Sequence, residues 1–310
     1  MKTPAPSPII PSDTTDRTGT AGIMRRAMAE IRRRFVGLKR DVVRLFDAIP
    51  ILAGNDAATA SVRTIYQMTP EQLARLSADL QATLERWISN GRDPAHVFWF
   101  ATYDAEAQQL GTAQSVANLS KIAPAYAATR TLQEVVYSEA YRTRLAAAQL
   151  RSMDHWTSLS ATMRSELSSI IGRAVIDGKN PRVVRREIAE RLGVSMSRAA
   201  QYAQTEITGA LRDARAAEAD QAKEDYGLDI ALLWTSALIP TTRHWHASRN
   251  GKTYSTQEVR AFYAEGGNKY NCHCAQTEVI LDDGRPMLSK KAQSALANEK
   301  AAWFSRYGGK

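Results

Sequence analysis

Apolar residues at Met24, Met28, Ile31, Phe35, Leu38, Val42, Leu45 and Ile49 alternate steps of four and three, the spacing of a helix with a narrow apolar seam. Around that seam lie Arg25, Arg26, Arg32, Arg33, Arg34, Lys39, Arg40 and Arg44, against only Glu30 and Asp41. The remainder of this helix is therefore strongly basic. Next, Thr69, Pro70 and Gln72 spell a capping box with proline in the first helical position, and Leu73, Leu76, Leu80, Leu84 and Trp87 continue as an apolar face up to Gly91. Asp93 and Pro94 begin another predicted helix through Val97, Phe98, Phe100, Tyr103 and Leu110, whose aromatic residues read as core. Helical pattern then runs over 118–150 and 158–177, ends at Gly178, restarts at Asn180-Pro181, closes at Gly193, and resumes from Ser195 to about Lys223.

After Gly227 the period shortens. Runs with strand character cover 228–235, 252–255 and 277–281, separated by loops holding Pro240, Gly251, Gly266 and Gly267. A last helix is predicted from Ser289 to Lys310, anchored by Leu296, Trp303 and Phe304. The expected class is α+β, a predominantly helical N-terminal domain with a small mixed α/β C-terminal module. Along the chain this divides into a mobile segment over 1–22, a helical domain over 23–194, the module over 195–285 and a C-terminal helix over 286–310. No short-period repeat supports a solenoid.

Composition narrows the function. With 310 residues, 44% hydrophobic and 24% charged, the chain has the make-up of an ordinary globular protein with two cores. Its net charge of +9 favours an anionic polymer or an acidic protein face as partner. Four readings of the basic helix are weighed: solvated charge on a helix packed into its own domain, docking onto a partner helix, contact with DNA phosphates and, last, a membrane surface. The N-terminus lacks the apolar core of a secretory signal, and no stretch approaches the roughly 18 consecutive apolar residues that span a bilayer, so no membrane partner is expected.

The two cysteines, Cys272 and Cys274, are one residue apart, too close for an unstrained bridge to each other. A reducing compartment fits them better than a disulfide-stapled secreted fold. Beside them stand Asn271 and His273, and some thirty residues upstream Arg243, His244 and His246. His246, Cys272 and Cys274 with His273 or His244 match a zinc site in number, and Cys-x-Cys brings both sulfurs to one face if the segment is extended. The alternative is architectural: thiols packed as small apolar groups beside hydrogen-bonded histidines, Arg243 forked onto a carboxylate such as Glu206, and the Asn271 amide holding a turn. A metal-dependent nuclease or hydrolase built on His246, Asn271, Cys272 and Cys274 is the catalytic alternative. Signatures of zinc deaminases, HExxH proteases and P-loop ATPases are absent from the sequence.

Taken in order, Thr205 and Glu206 on a helix, Trp234 on a strand, Arg243-x-x-His246, the turn residue Gly251 and Asn271-Cys272-x-Cys274 resemble the phage Mu F-like minor head protein family. The likeness extends over roughly 172–281, including Gly178-Lys179-Asn180-Pro181 and Arg198-Ala199. Two positions depart from the pattern. Ile239 and Pro240 stand where an acidic residue often precedes the Arg-x-x-His, and His273 replaces the Arg between the cysteines. The resemblance implies a virion protein of a tailed bacteriophage, associated with the portal inside the capsid near the portal vertex, present in the host cytoplasm during assembly, and assisting head morphogenesis and DNA ejection without catalysis. Portal protein, major capsid or scaffolding proteins and packaged double-stranded DNA are the partners it implies.

Overall fold

The computed structural model describes residues 7–52, 63–89 and 98–308. Among these the elements follow as α1 (Ala21–Asp47), α2 (Pro70–Leu84), a π-helical turn (Glu85–Ser89), α3 (Ala101–Ile122), α4 (Pro124–Thr129), α5 (Leu132–Tyr137), α6 (Glu139–Asp177) and α7 (Pro181–Tyr226), then β1 (Ile230–Thr235), α8 (His244–Ala247), β2 (Thr253–Tyr254), α9 (Thr256–Ala264), β3 (Ala275–Asp282), β4 (Arg285–Pro286) and α10 (Lys290–Tyr307). The class is α+β, with every named strand after α7. The stop expected at Gly91 and the start at Asp93-Pro94 lie outside the described residues.

Contacts group the chain into two compact units: residues 1–25, 102–149 and 204–310 in a sheet unit, and 26–101 with 150–203 in a helical unit. Both are discontinuous in sequence, so their borders differ from segments read linearly along the chain. Caps and glycines mark where an element ends, whereas the unit is set by what each turn of a long helix packs against.

In the helical unit α1 buries Ala27, Ile31, Phe35, Leu38, Val42 and Phe46. Ala27 and Phe46 replace the expected Met28 and Leu45 because a straight helix of 3.6 residues per turn drifts off a 3.5-residue seam. Gly37 is required by close approach: a Cβ there would lie 2.3 Å from the Trp87 ring. At α2 the expected capping box forms, Thr69 and Gln72 each bonding the other's backbone N–H. Of the aromatic residues expected as core in this stretch, Phe100 is fully buried with its ring 5.3 Å from that of Trp156, whereas Phe98 and Tyr103 are only partly buried.

Several helix boundaries differ from expectation, among them the gap expected between 150 and 158, which α6 crosses without a break. The break predicted at Gly193 is absent. α7 runs on for 46 residues, a Cβ at Gly193 would meet nothing, and the Ser195 hydroxyl donates back to the Arg191 carbonyl at 3.1 Å instead of capping a new helix. Conversely the helix predicted over 118–150 is divided, because Pro124 starts α4 and a Thr131–Glu134 capping box starts α5.

The sheet unit is built on strands in the order β2-β1-β3-β4, all antiparallel, with Ile230 opposite Ile280 and Thr235 opposite Ala275. The central strand β1 is buried along its whole length, so its alternating side chains feed two cores. Ile230, Leu232 and Trp234 join Ala216, Ala219 and Ala222 of α7 and Leu119 of α3; Ala231 and Leu233 meet Val279, Leu296 of α10 and Ile10.

The N-terminal segment, expected to be mobile, is strapped to this unit from residue 9 onward. Ile9 N–H donates to Asn118 Oδ1 at 2.7 Å and Leu238 N–H to the Thr14 carbonyl at 3.0 Å. Arg17 is 1% exposed; its Nε donates to the Ser236 carbonyl at 3.2 Å and its guanidinium pairs with Glu299. Pro, Ser and Thr are common in mobile tails, but a buried arginine with three acceptors overrides that local tendency.

Candidate functional site

Beyond β1 the chain loops out through Pro240 and returns over the four-residue α8, which carries His246. Its backbone is held from three sides. Ser236 Oγ donates to the His246 carbonyl at 2.6 Å. Asn250 accepts from Ser236 N–H at 2.8 Å and donates to the Leu296 carbonyl at 2.9 Å. Gly251 sits at φ +80° with its N–H on the Trp234 carbonyl at 2.9 Å; that left-handed backbone favours glycine, and Leu296 leaves a Cβ only 3.2 Å.

The cysteines arrive from the opposite direction. Asn271, at φ 51°, donates its backbone N–H to Thr205 Oγ1 on α7 at 3.1 Å, fixing the approach to β3. Asparagine tolerates this left-handed turn better than most residues. From there the chain presents both thiols to one cluster with His246. His246 Nδ1 is 3.5 Å from Cys272 Sγ and 3.8 Å from Cys274 Sγ, the three ligand atoms lie within 4.8 Å of one another, and all three residues are buried.

Arg243 sets the imidazole from behind. Its Nη1 lies 3.4 Å from His246 Nε2, and a guanidinium can only donate, so Nε2 is the acceptor and the Nδ1 proton faces the sulfurs. The same guanidinium donates to the carbonyls of Tyr270 at 2.9 Å and Asn268 at 3.4 Å. This corrects the expected fork onto Glu206: Arg243 ties α8 to the 268–270 turn, and Glu206 is buried on α7. A hydrogen bond from the Cys274 thiol holds Cys272 well below the ordinary thiol range despite its burial, with His246 and Arg212 adding to the effect. The same bond, and then burial, push Cys274 up.

An aromatic wall encloses the cluster. Trp234 stacks on Tyr263 at 5.4 Å and 17°, Phe262 stands edge-on to His246 at 5.0 Å, and the Tyr263 hydroxyl is 3.6 Å from Cys272 Sγ. Arg212 of α7 lies over the Tyr263 ring at 4.1 Å, buried, with Nη1 lacking a hydrogen-bond partner among the described residues. The other side of the cluster opens into a cleft lined by Ala237, Thr241, Thr242, Arg243 and His273.

The remaining candidates separate. His273 is half-buried in the cleft and outside the His-Cys-Cys group; burial lowers its pKa. His244 turns away, edge-on to Trp303 at 5.4 Å and Phe304 at 6.0 Å on α10. Ile239, which stands where an acid is common, contributes its carbonyl to Trp303 Nε1 at 2.9 Å. On α1, Arg25, Arg26, Arg32, Arg33, Lys39, Arg40 and Arg44 are exposed. Arg34 is not: it bonds Glu30 at 2.7 Å and the Trp87 carbonyl at 2.9 Å and lies over Trp99 at 4.4 Å, which removes it from the candidate DNA- or partner-binding set.

Sequence reasoning missed two polar groups that shape the unit. Asn250 had no local signature. Glu278 of β3 is fully buried with Arg215 of α7 at 2.6 Å, Ser115 and Asn118 of α3. A glutamate in the middle of an apolar strand was the available signal, since a carboxylate is seldom buried without a partner.

These features define a helix-backed antiparallel sheet with a His-Cys-Cys cluster at its margin. Residues 165–277 match the family described as phage Mu protein F like protein. The chain thus carries a phage Mu F-like region over just over a third of its length, beginning within α6 and ending in β3. No curated protein and no solved structure matches the chain.

Proposed function

We propose that this chain is a minor head protein of a tailed bacteriophage, a structural component of head morphogenesis that associates with the portal inside the capsid and assists genome delivery. The observation that carries the reading is the phage Mu F-like match across the segment that supplies Thr205, Trp234, Arg243, His246, Asn271 and both cysteines. The use of the polar side chains supports it: Arg243 donates to the Tyr270 carbonyl and Thr205 accepts the Asn271 backbone N–H, so both are spent on tying backbone segments. Such ties need no substrate. The proposed location is the virion, and among the described residues no helix is long and apolar enough to cross a membrane.

Portal protein is the first partner of this reading, with capsid or scaffolding proteins and packaged DNA beside it. For DNA, the exposed arginines and lysine of α1 are the surface to test. Deleting α1 would remove core residues such as Leu38 and Val42, so charge reversal is the cleaner probe. The deciding experiment locates the protein by mass spectrometry in purified heads and in portal-deficient particles. Presence in the first and absence from the second is expected; equal amounts in both would refute portal association. A variant with Arg25, Arg26, Arg32 and Lys39 changed to Glu should lose salt-sensitive DNA retention with unchanged circular dichroism, and unaltered retention would remove DNA from the partners. Plasmid-nicking assays with added divalent metal address the hydrolase alternative, for which metal-dependent nicking lost on both His246→Ala and Asn271→Ala would be decisive.

A further inference from the structure

We propose that His246, Cys272 and Cys274 form a binding site for zinc or a similar soft divalent ion, with the fourth coordination position open to the cleft that contains His273. The argument is geometric. Zinc–sulfur bonds near 2.3 Å and zinc–nitrogen bonds near 2.0–2.1 Å in a tetrahedron place a nitrogen and a sulfur about 3.6 Å apart. The His246 Nδ1 to sulfur distances are 3.5 and 3.8 Å, which match two edges of such a tetrahedron, and all three ligand atoms lie within 4.8 Å of one another.

The surroundings fit the same assignment. The three ligands come from two separately braced segments: α8, held by Ser236 and Asn250, and the approach to β3, held by Thr205. None of these braces uses an atom that would ligate the ion, so the segments are positioned independently of the coordination bonds. Arg212 places a buried positive charge, with one nitrogen lacking a hydrogen-bond partner among the described residues, beside the thiols, and so favours the thiolate form that a metal binds. No fourth His, Cys, Asp or Glu joins the group among the described residues. Three protein ligands beside a cleft leave one position for water or another exchangeable donor, the pattern of an open zinc site.

Loading balances simply. Any proton still on either sulfur passes to solvent, the imidazole proton leaves Nδ1 and one is taken up at Nε2, and the ion accepts lone pairs from Nδ1 and two thiolates. Nε2 then carries hydrogen toward Arg243, so the 3.4 Å contact there is given up while Arg243 keeps its two carbonyl acceptors. Metal binding is thus coupled to how Arg243 holds the imidazole.

The experiment titrates the full-length, chelator-stripped protein with zinc against a chromophoric competitor, then repeats the titration with cobalt and records its visible spectrum. About one ion per chain is expected, with sulfur-to-cobalt charge-transfer bands and tetrahedral ligand-field intensity. Cys272→Ser and Cys274→Ser should each weaken binding at least about tenfold, while His273→Ala keeps the stoichiometry and cobalt spectrum. Azide added to the cobalt form should alter its spectrum. Binding below about a tenth of an ion per chain in the unmodified protein would overturn the site whatever the variants do. Undiminished binding by both serine variants would also overturn it, and loss of binding by a folded His273→Ala protein would overturn the open fourth position.

Discussion

In the helical unit Arg34 is the only buried charged residue among those described, and α1 presents an apolar face of Ile31, Phe35, Leu38 and Val42. The sheet unit, in contrast, buries Arg17, Asp104, Glu206, Arg212, Arg215, Glu218 and Glu278, with His246 and two thiols besides. The first arrangement is forgiving, because apolar side chains of similar volume exchange at modest cost. The second is demanding: a buried charge or amide that loses its partner keeps its full desolvation penalty. The phage Mu F-like region runs through both units, but Thr205, Trp234, Arg243, His246, Asn271 and the two cysteines lie in the demanding one.

The contrast can be broken most sharply at Glu278. Replacing it by Ala strands Arg215 in the interior and should cost about 3–5 kcal/mol in urea unfolding of the sheet unit. A loss below about 1 kcal/mol would show that the buried pair is not a strong constraint. Acid offers an independent route to the same group. Burial pushes the Glu278 carboxyl up, but Arg215 and the hydroxyl of Ser115 outweigh it and hold the folded pKa below the ordinary 4.5. Because the folded value is depressed, the stabilisation is present above pH 4.5 and is lost as pH falls through the folded value. Unfolding followed from pH 6 downward should therefore show a steeper acid loss in the parent than in Glu278→Gln.

A smaller effect is expected at Asn250. Asn250→Ala leaves Ser236 N–H and the Leu296 carbonyl without that partner and should cost about 1–3 kcal/mol, with amide exchange rising around α8 and α10. In the helical unit, Ile31→Val removes one methylene from a fully buried position and should cost about 0.5–1.5 kcal/mol. Smallest of all, Leu73→Ala on the exposed side of α2 should fall within about 0.5 kcal/mol of the parent in thermal melts. A reversal of this order, with Ile31→Val worse than Asn250→Ala, would mean that polar ties do not set the tolerance of the sheet unit.

The same contrast governs how much could be read from sequence. The α1 seam, the Thr69 capping box, the strand runs around 230 and 277 and the closing helix were legible because each depends on neighbours within a few residues. Cys272 and Cys274 were legible as a pair, and His246 as their companion through family spacing. The Asp283-Gly284 turn was also readable: both residues adopt positive φ, 47° and 73°, and form the hairpin between β3 and β4 that was not anticipated. Arg215 with Glu278, Arg17 with Glu299 and Thr205 with Asn271 were not legible, because partners 63, 282 and 66 residues apart leave no periodic trace. Gly193 misled because glycine's advantage at a helix end lies in a left-handed backbone, and here it stays within α7.

The strap formed by Arg17 sets an order of events during synthesis. Its acceptors belong to the Pro11 carbonyl, the loop after β1 and helix α10, so two of its three ties wait for residues made more than two hundred positions later. Contacts of such long range form slowly and late. Until α10 has left the ribosome, Arg17 lacks the Glu299 carboxylate, and the segment is held only by partners made earlier, such as Asn118 to Ile9. A nascent chain halted before Glu299 should therefore leave its N-terminal stretch open to protease, even where the helices between are already formed.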